Sequence, residues 1–524
     1  MSKILIYDTT LRDGSQAEGV SFSLEDKLGI ALKLDYLGVD YIEGGFPFSN
    51  PKDLKFFEEA AKLSFKRSKL TSFGATRRAD TEAENDAGLA ALLACGAGVA
   101  TIVAKTWDFH VKNVIRTTLE ENICMIRDSV SFLKKNGLEV VFDAEHFFDG
   151  YKNNPEYASR CLLTAEEAGA DWIVLCDTNG GCLVSDVARI VAEVKKEVQA
   201  PLGMHAHNDS DLAVASTLAA VDAGAVQVQG TINGFGERAG NADLCSIIPN
   251  LILKKGHQCL PEGALTKLTE VSRYVYEVAN LPPRWHQPFV GVSAFAHKGG
   301  FHIDAMRKNK LTYEHIPPEA VGNERRILVS ELSGRATLLE KVEKYDISHD
   351  KALMREILNQ IQSLEAEGYQ FEAAEASFEL LVKKALGKHR PFFHLAGFRV
   401  IVERREAGEP VSEATIKVEV GGETEITASE GDGPVHALDN ALRKALERFY
   451  PQLKEMRLVD YKVRVINPKA ATAAKVRVII ETRDHKDIWG TVGVSENLIE
   501  ASWQALVDSV EFKLFKDQEQ SDVR

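Results

Sequence analysis

The sequence predicts an α/β protein of 524 residues: a (β/α)8 TIM barrel, then a mostly helical linker, then a smaller α+β domain. Three observations predict it. Eight short runs of β-branched or apolar residues, each followed by a turn and an amphipathic helical stretch, fill the first half of the chain. That rhythm stops at Leu281-Pro282-Pro283, and a mixed, mainly helical stretch follows. Beyond about residue 370 alternating strands return, in two similar β-β-β-α sets that read as a weak internal duplication.

The eight runs are 4–7, 41–46, 70–75, 99–104, 140–144, 172–176, 202–206 and 226–232. Gly38, Gly137, Gly169 and Gly224 stand just before several of them, where the preceding helix must end, and glycine readily adopts the left-handed cap. Eight such units could also form an open doubly wound sheet. That fold usually carries a glycine-rich phosphate loop after its first strand, and this chain instead carries Asp8-Thr9-Thr10-Leu11-Arg12-Asp13-Gly14. A closed barrel is expected, so an active site belongs at the C-terminal ends of its strands. The expected domains are residues 1–280 for the barrel, 281–368 for the linker and 369–524 for the last domain. In the last, strands are expected at 398–402, 415–420, 423–427, 461–466, 476–481 and 487–494, with helices at 435–449 and 498–515. A duplicated module of this kind offers an interface between its halves for a small effector or another subunit.

Composition narrows the function classes. There are 63 Lys and Arg against 77 Asp and Glu, a net charge of −14 with no basic cluster, which argues against nucleic acid as a partner. No apolar run approaches the ~18 residues of a membrane helix, and the N-terminus lacks a signal-peptide pattern, so a cytoplasmic protein is expected. The seven cysteines are scattered without C-x-x-C spacing and read as reduced, mostly buried thiols.

His205-Ala206-His207 ends the seventh run. Strand side chains alternate with period two, so both imidazoles point to one face and suit a divalent cation. Asp13, after the first run, is placed to complete a two-histidine, one-carboxylate set; nitrogen and oxygen donors without thiolate suit Mg²⁺, Mn²⁺ or Zn²⁺ alike. Other strand ends bring Glu43, Lys105, Asp143, Glu145, Thr178 and Asn233 toward the same rim, and so many polar groups would be costly in a purely structural core. After the eighth run, Gly234, Gly236 and Gly240 let backbone approach a ligand closely.

These residues resemble the acyl-CoA-condensing family that includes isopropylmalate, homocitrate and citramalate synthases. Asp8 to Gln16 (DTTLRDGSQ) looks like its first signature, and His205 to Asp209 (HAHND) with Gly236 to Asn241 (GERAGN) looks like its second. Glu43 to Asp53 and Asp143 to Tyr151 resemble motifs of the family's long citramalate-forming branch. The resemblance implies a metal held by Asp13, His205 and His207 with Asn241 nearby, Arg12 on the oxygen that gains charge, and Gln16, Glu43, Thr178 and Asn233 near substrate. It implies Glu145 or His302 as the base, with Tyr313 as partner to His302, in a segment that reaches the neighbouring subunit of a homodimer. The implied substrates are acetyl-CoA and pyruvate, with 2-oxoisovalerate as the alternative acceptor, and the implied effector at the last domain is isoleucine. A lyase running the reverse cleavage on a similar barrel would carry a cysteine after the eighth strand; this chain has none between Cys182 and Cys245.

Overall fold

A computed structural model describes residues 3–328, 351–404, 409–467, 473–485 and 487–522. Part of the expected linker, 329–350, lies outside the described residues. The chain divides into two compact units, one of Met1–Phe295 with His315–Arg325 and one of Ala296–Glu314 with Arg326–Arg524.

The first unit is a closed parallel barrel whose strands run in sequence order: β1 (Leu5–Asp8), β2 (Tyr41–Gly45), β3 (Lys69–Ala75), β4 (Val99–Lys105), β5 (Glu139–Glu145), β6 (Trp172–Asp177), β7 (Leu202–Ala206) and β8 (Gln227–Gly230). Closure comes from β1 against β8, with Leu5 opposite Gln227 and Asp8 opposite Gly230. Alternation along each strand makes two packed layers. Ile6, Ile42, Ile102, Phe142, Leu175 and Met204 belong to the layer under the helices, while Tyr7, Tyr41, Val99, Val141, Val174 and Cys176 cluster separately.

Local sequence sets the helix ends. Leu24–Leu37 opens on a capping box, in which the Ser23 side chain accepts from the Asp26 N–H and the Asp26 carboxylate accepts from the Ser23 N–H. It closes on Gly38 at φ 93°, and Gly137, Gly169 and Gly224 are likewise left-handed. After β2, Asp53 accepts from the Phe46 N–H and pairs with the buried Lys27, pinning the loop at the barrel mouth.

The second unit contains two three-stranded antiparallel meanders, each followed by a helix. The first is His394–Glu403, Val411–Val420 and Glu423–Gly431, then the helix Pro434–Leu446; the second is Arg457–Val465, Val476–Arg483 and Ile488–Ser495, then the helix Leu498–Asp522. In the first, Ala414, Ile416, Val418 and Val420 alternate inward and share a core with Ala437, Leu438, Ala441 and Leu442. Helices Lys351–Glu367 and Glu375–Ala385 precede them, the latter unanticipated from sequence. Among the described residues no helix is long and apolar enough to cross a membrane, and all seven cysteines are free, six of them buried.

Candidate active site

The loop after β1 is built by its own polar residues. Asp8 accepts from the Thr10 N–H and hydroxyl, both at 2.9 Å, and the Thr9 carbonyl accepts from the N–H groups of Arg12 and Gly14, both at 3.1 Å. Thr10 Oγ1 in turn accepts from the Ile232 N–H at 2.9 Å, tying this loop to the one after β8. That second loop folds back on β7: the Ala242 N–H donates to the Ala206 carbonyl and the Asn208 N–H to the Gly240 carbonyl. A Cβ on Gly236 would lie 2.0 Å from Asn241 Oδ1, so only glycine admits the Asn241 side chain there.

These turns gather Asp13, His205 and His207, whose donor atoms all lie within 4.8 Å of one another and are all buried. His205 Nε2 stands 3.3 Å from Asp13 Oδ2 and 3.4 Å from His207 Nε2. Asn241 Nδ2 donates to Asp13 Oδ2 at 3.0 Å, while Asn241 Oδ1 and His207 Nδ1 are buried without a hydrogen-bond partner. A buried polar atom left unpaired costs roughly 1–3 kcal/mol. The Asn241 oxygen fits a cation, since a half-turn of its amide presents that oxygen to the space that Asp13 and the facing Nε2 atoms of His205 and His207 share. Burial, then neighbouring His205, pushes the His207 imidazole down to about 3, which leaves it neutral as a ligand requires. Burial alone would raise Asp13, but Arg12, His205 and His207 outweigh it and hold the carboxyl below its usual range.

Arg12 is fixed on three sides. Its Nε meets Glu43, its Nη1 donates to Asp13 at 2.8 Å, and its guanidinium carbon lies 4.0 Å from the Phe73 ring centre. Glu43, fully buried, also accepts from the Tyr7 hydroxyl at 2.6 Å, and Tyr7 is in contact with Thr101. Burial and then Glu43 push the Asp143 carboxyl well above its usual range, against Arg12. Asp13, His205 and His207 line a cleft of about 270 Å³ together with Arg12, Gln16, Phe73, Asp143, Glu145, Cys176 and Thr178. Glu145 is held there by Lys105, and Thr178 accepts from the His146 N–H at 2.8 Å.

Three family models match: HMGL-like over residues 3–275, homocitrate synthase post-HMGL domain-like over 289–369 and LeuA allosteric (dimerisation) domain over 372–514. The (R)-citramalate synthases of Geobacter sulfurreducens and Aquifex aeolicus are 57% and 56% identical to this chain, each over 99% of both sequences. The chain belongs to the (R)-citramalate synthase family. A 2-isopropylmalate synthase of Methanocaldococcus jannaschii is 31% identical over 97% of this chain and 94% of its own.

Against what the citramalate synthase resemblance implied, the structure brings Arg12, Asp13, Gln16, Glu145, Thr178, His205 and His207 to one cleft, with Asn241 touching Asp13. Glu43 lies behind Arg12 instead of on the cleft wall. Asn233 lies apart from them. Its Nδ2 donates to the Ser272 carbonyl and its Oδ1 accepts from the Ser272 hydroxyl and Gln287, so its amide is spent on packing and it does not line the cleft. His302 and Tyr313 belong to the second unit, stacked on each other with ring centres 3.9 Å apart and Tyr313 47% exposed. Sequence reading passed over Gln229, which holds His205 Nδ1 at 2.9 Å; its signal was a polar pair, Gln227 and Gln229, at period two in a buried strand.

Proposed function

We propose that this member of the citramalate synthase family condenses acetyl-CoA with pyruvate and hydrolyses the thioester, releasing (R)-citramalate and CoA. The observation that carries the reading is the buried Asp13–His205–His207 set at the barrel mouth, in a chain 57% identical to a citramalate synthase end to end. Asp13, His205, His207 and the Asn241 oxygen are the residues for Mn²⁺, Mg²⁺ or Zn²⁺. A divalent cation there supplies a Lewis acid for the acceptor's carbonyl.

The remaining work falls to side chains. Arg12, held by Glu43, Asp13 and Phe73, presents a fixed positive charge to the oxygen that gains charge as the acetyl methyl carbon attacks the keto carbon. Glu145 on the cleft wall, or His302 with Tyr313, takes the methyl proton. Gln16 and Thr178 offer hydrogen-bonding groups to substrate. The second unit supplies dimer contacts and an effector site, which the LeuA allosteric (dimerisation) match over residues 372–514 supports; we assign isoleucine to that site, and the His302–Tyr313 pair, which lies outside that match, to the partner's barrel.

The test is CoA release, followed with a thiol reagent, from acetyl-CoA and Mn²⁺ or Mg²⁺ with pyruvate, 2-oxoisovalerate or 2-oxoglutarate, with and without isoleucine. Pyruvate-dependent, chelator-sensitive release is expected. Preference for 2-oxoisovalerate would move the reading to isopropylmalate synthesis, and no release with any acceptor would overturn it.

A further inference from the structure

We infer that Gln229, oriented by Asp143, fixes the tautomer of His205 and so sets the affinity of the cluster for a divalent cation; this rests on the metal reading above. Asp143, His205 and Gln229 are all buried, at 3%, 5% and 0% exposure. The Gln229 amide is engaged at both ends: Nε2 donates to Asp143 Oδ1 at 3.2 Å, and Oε1 lies 2.9 Å from His205 Nδ1. Two residues earlier on the same strand, Gln227 has no partner for either amide atom, so side-chain pairing is not a general property of β8.

The logic is one of donors and acceptors. Asp143 Oδ1 accepts from the NH2 end of the amide, an arrangement that turns the carbonyl end to His205. A carbonyl oxygen can only accept, so the imidazole proton sits on Nδ1 and the lone pair on Nε2. Nε2 is the atom that faces Asp13 Oδ2 and His207 Nε2, 3.3 and 3.4 Å away. An inverted Gln229 would present NH2 to Nδ1 and drive the proton to Nε2, where the cation belongs. Gln229 and Asp143 are thus positioning residues acting through His205.

The experiment is titration calorimetry of Mn²⁺ into the chelator-stripped full chain, with unfolding midpoints of the same metal-free proteins. Gln229→Leu is expected to weaken Mn²⁺ binding about 10- to 100-fold. Gln229→Glu keeps an acceptor toward Nδ1 and should stay within about threefold of the parent, a rescue that mere packing would not give. Parent-like binding by Gln229→Leu, or equal weakening in both variants, overturns the inference. If the leucine variant does not fold, Asp143→Ala decides. It removes the acceptor that orients the Gln229 amide, so binding should fall by more than about threefold, and unchanged affinity refutes the relay. A parent chain that binds no Mn²⁺ overturns the metal reading itself, and this inference with it.

Discussion

Exchanging Glu43 for glutamine should loosen the site without removing a metal donor. The carboxylate is fully buried and holds Arg12 through Nε and Tyr7 through its hydroxyl. The amide keeps the shape and one acceptor oxygen; what is lost is the charge opposite a guanidinium whose side chain is 15% exposed. Removing one partner of a buried ion pair costs roughly 3–5 kcal/mol. Asp13 still faces Arg12 at 2.8 Å, so the lower end, about 3 kcal/mol, applies. At about 2–4 °C per kcal/mol, the barrel's Tm should fall by roughly 6–12 °C in scanning calorimetry. Arg12, freed on one side, shifts, and a misplacement of about 1 Å costs on the order of 10²-fold in kcat/KM for CoA release. Tyr7→Phe is the control, losing the two hydrogen bonds of its hydroxyl, to Glu43 and to Thr101, each worth about 1 kcal/mol, while leaving the Glu43 charge opposite Arg12. A Glu43→Gln variant within about 1 kcal/mol of the parent and within twofold in rate would show that Glu43 does not anchor Arg12.

Three further outcomes are expected. His207→Ala should abolish turnover while circular dichroism stays unchanged, and normal activity would remove the metal-site argument. Mixed in equal amounts, His207→Ala and His302→Ala chains should regain about a quarter of parental CoA release, since half the dimers are mixed and each carries one intact site; no recovery would mean that both residues act within one chain. Burial, against the Thr10 hydrogen bonds, raises Asp8 from 3.8 to about 7. A raised carboxyl binds its proton more tightly in the folded state, so its contribution is complete below about pH 4 and is lost as pH rises toward 7. Asp8→Asn should flatten that slope of stability against pH, and an unchanged slope would contradict it.

The barrel was legible because its physics is local. Runs of apolar β-branched residues bounded by helix-capping glycines place each strand to within a residue or two, and Gly38, Gly137, Gly169 and Gly224 do adopt the left-handed conformation the caps require. His205 and His207 were legible because period-two alternation aims them to one side, and Asp13 because the barrel's polarity puts the loop after its first strand at the same mouth. Asn233 was not: it follows β8 in a 3-10 turn at φ 65°, where alternation no longer tells which way a side chain points. Glu43 and Gln229 were missed as supports because their partners lie 31 and 24 residues away along the chain, at Arg12 and His205. The helix Glu375–Ala385 fell beside strands whose alternation dominated the reading.

The pairing of β1 with β8 has a bearing on how the protein matures. The donors straddle this seam, Asp13 from the first strand's loop and His207 and Asn241 from the last two units, so the ligand set exists only once the ring has shut. A nascent chain lacking its eighth strand has no cation site to fill. The bound ion would then act as a clasp on the youngest contact of the barrel, adding about 2.7 kcal/mol when free metal stands at a hundred times Kd. With the proposed metal site, loading would report that the fold is finished.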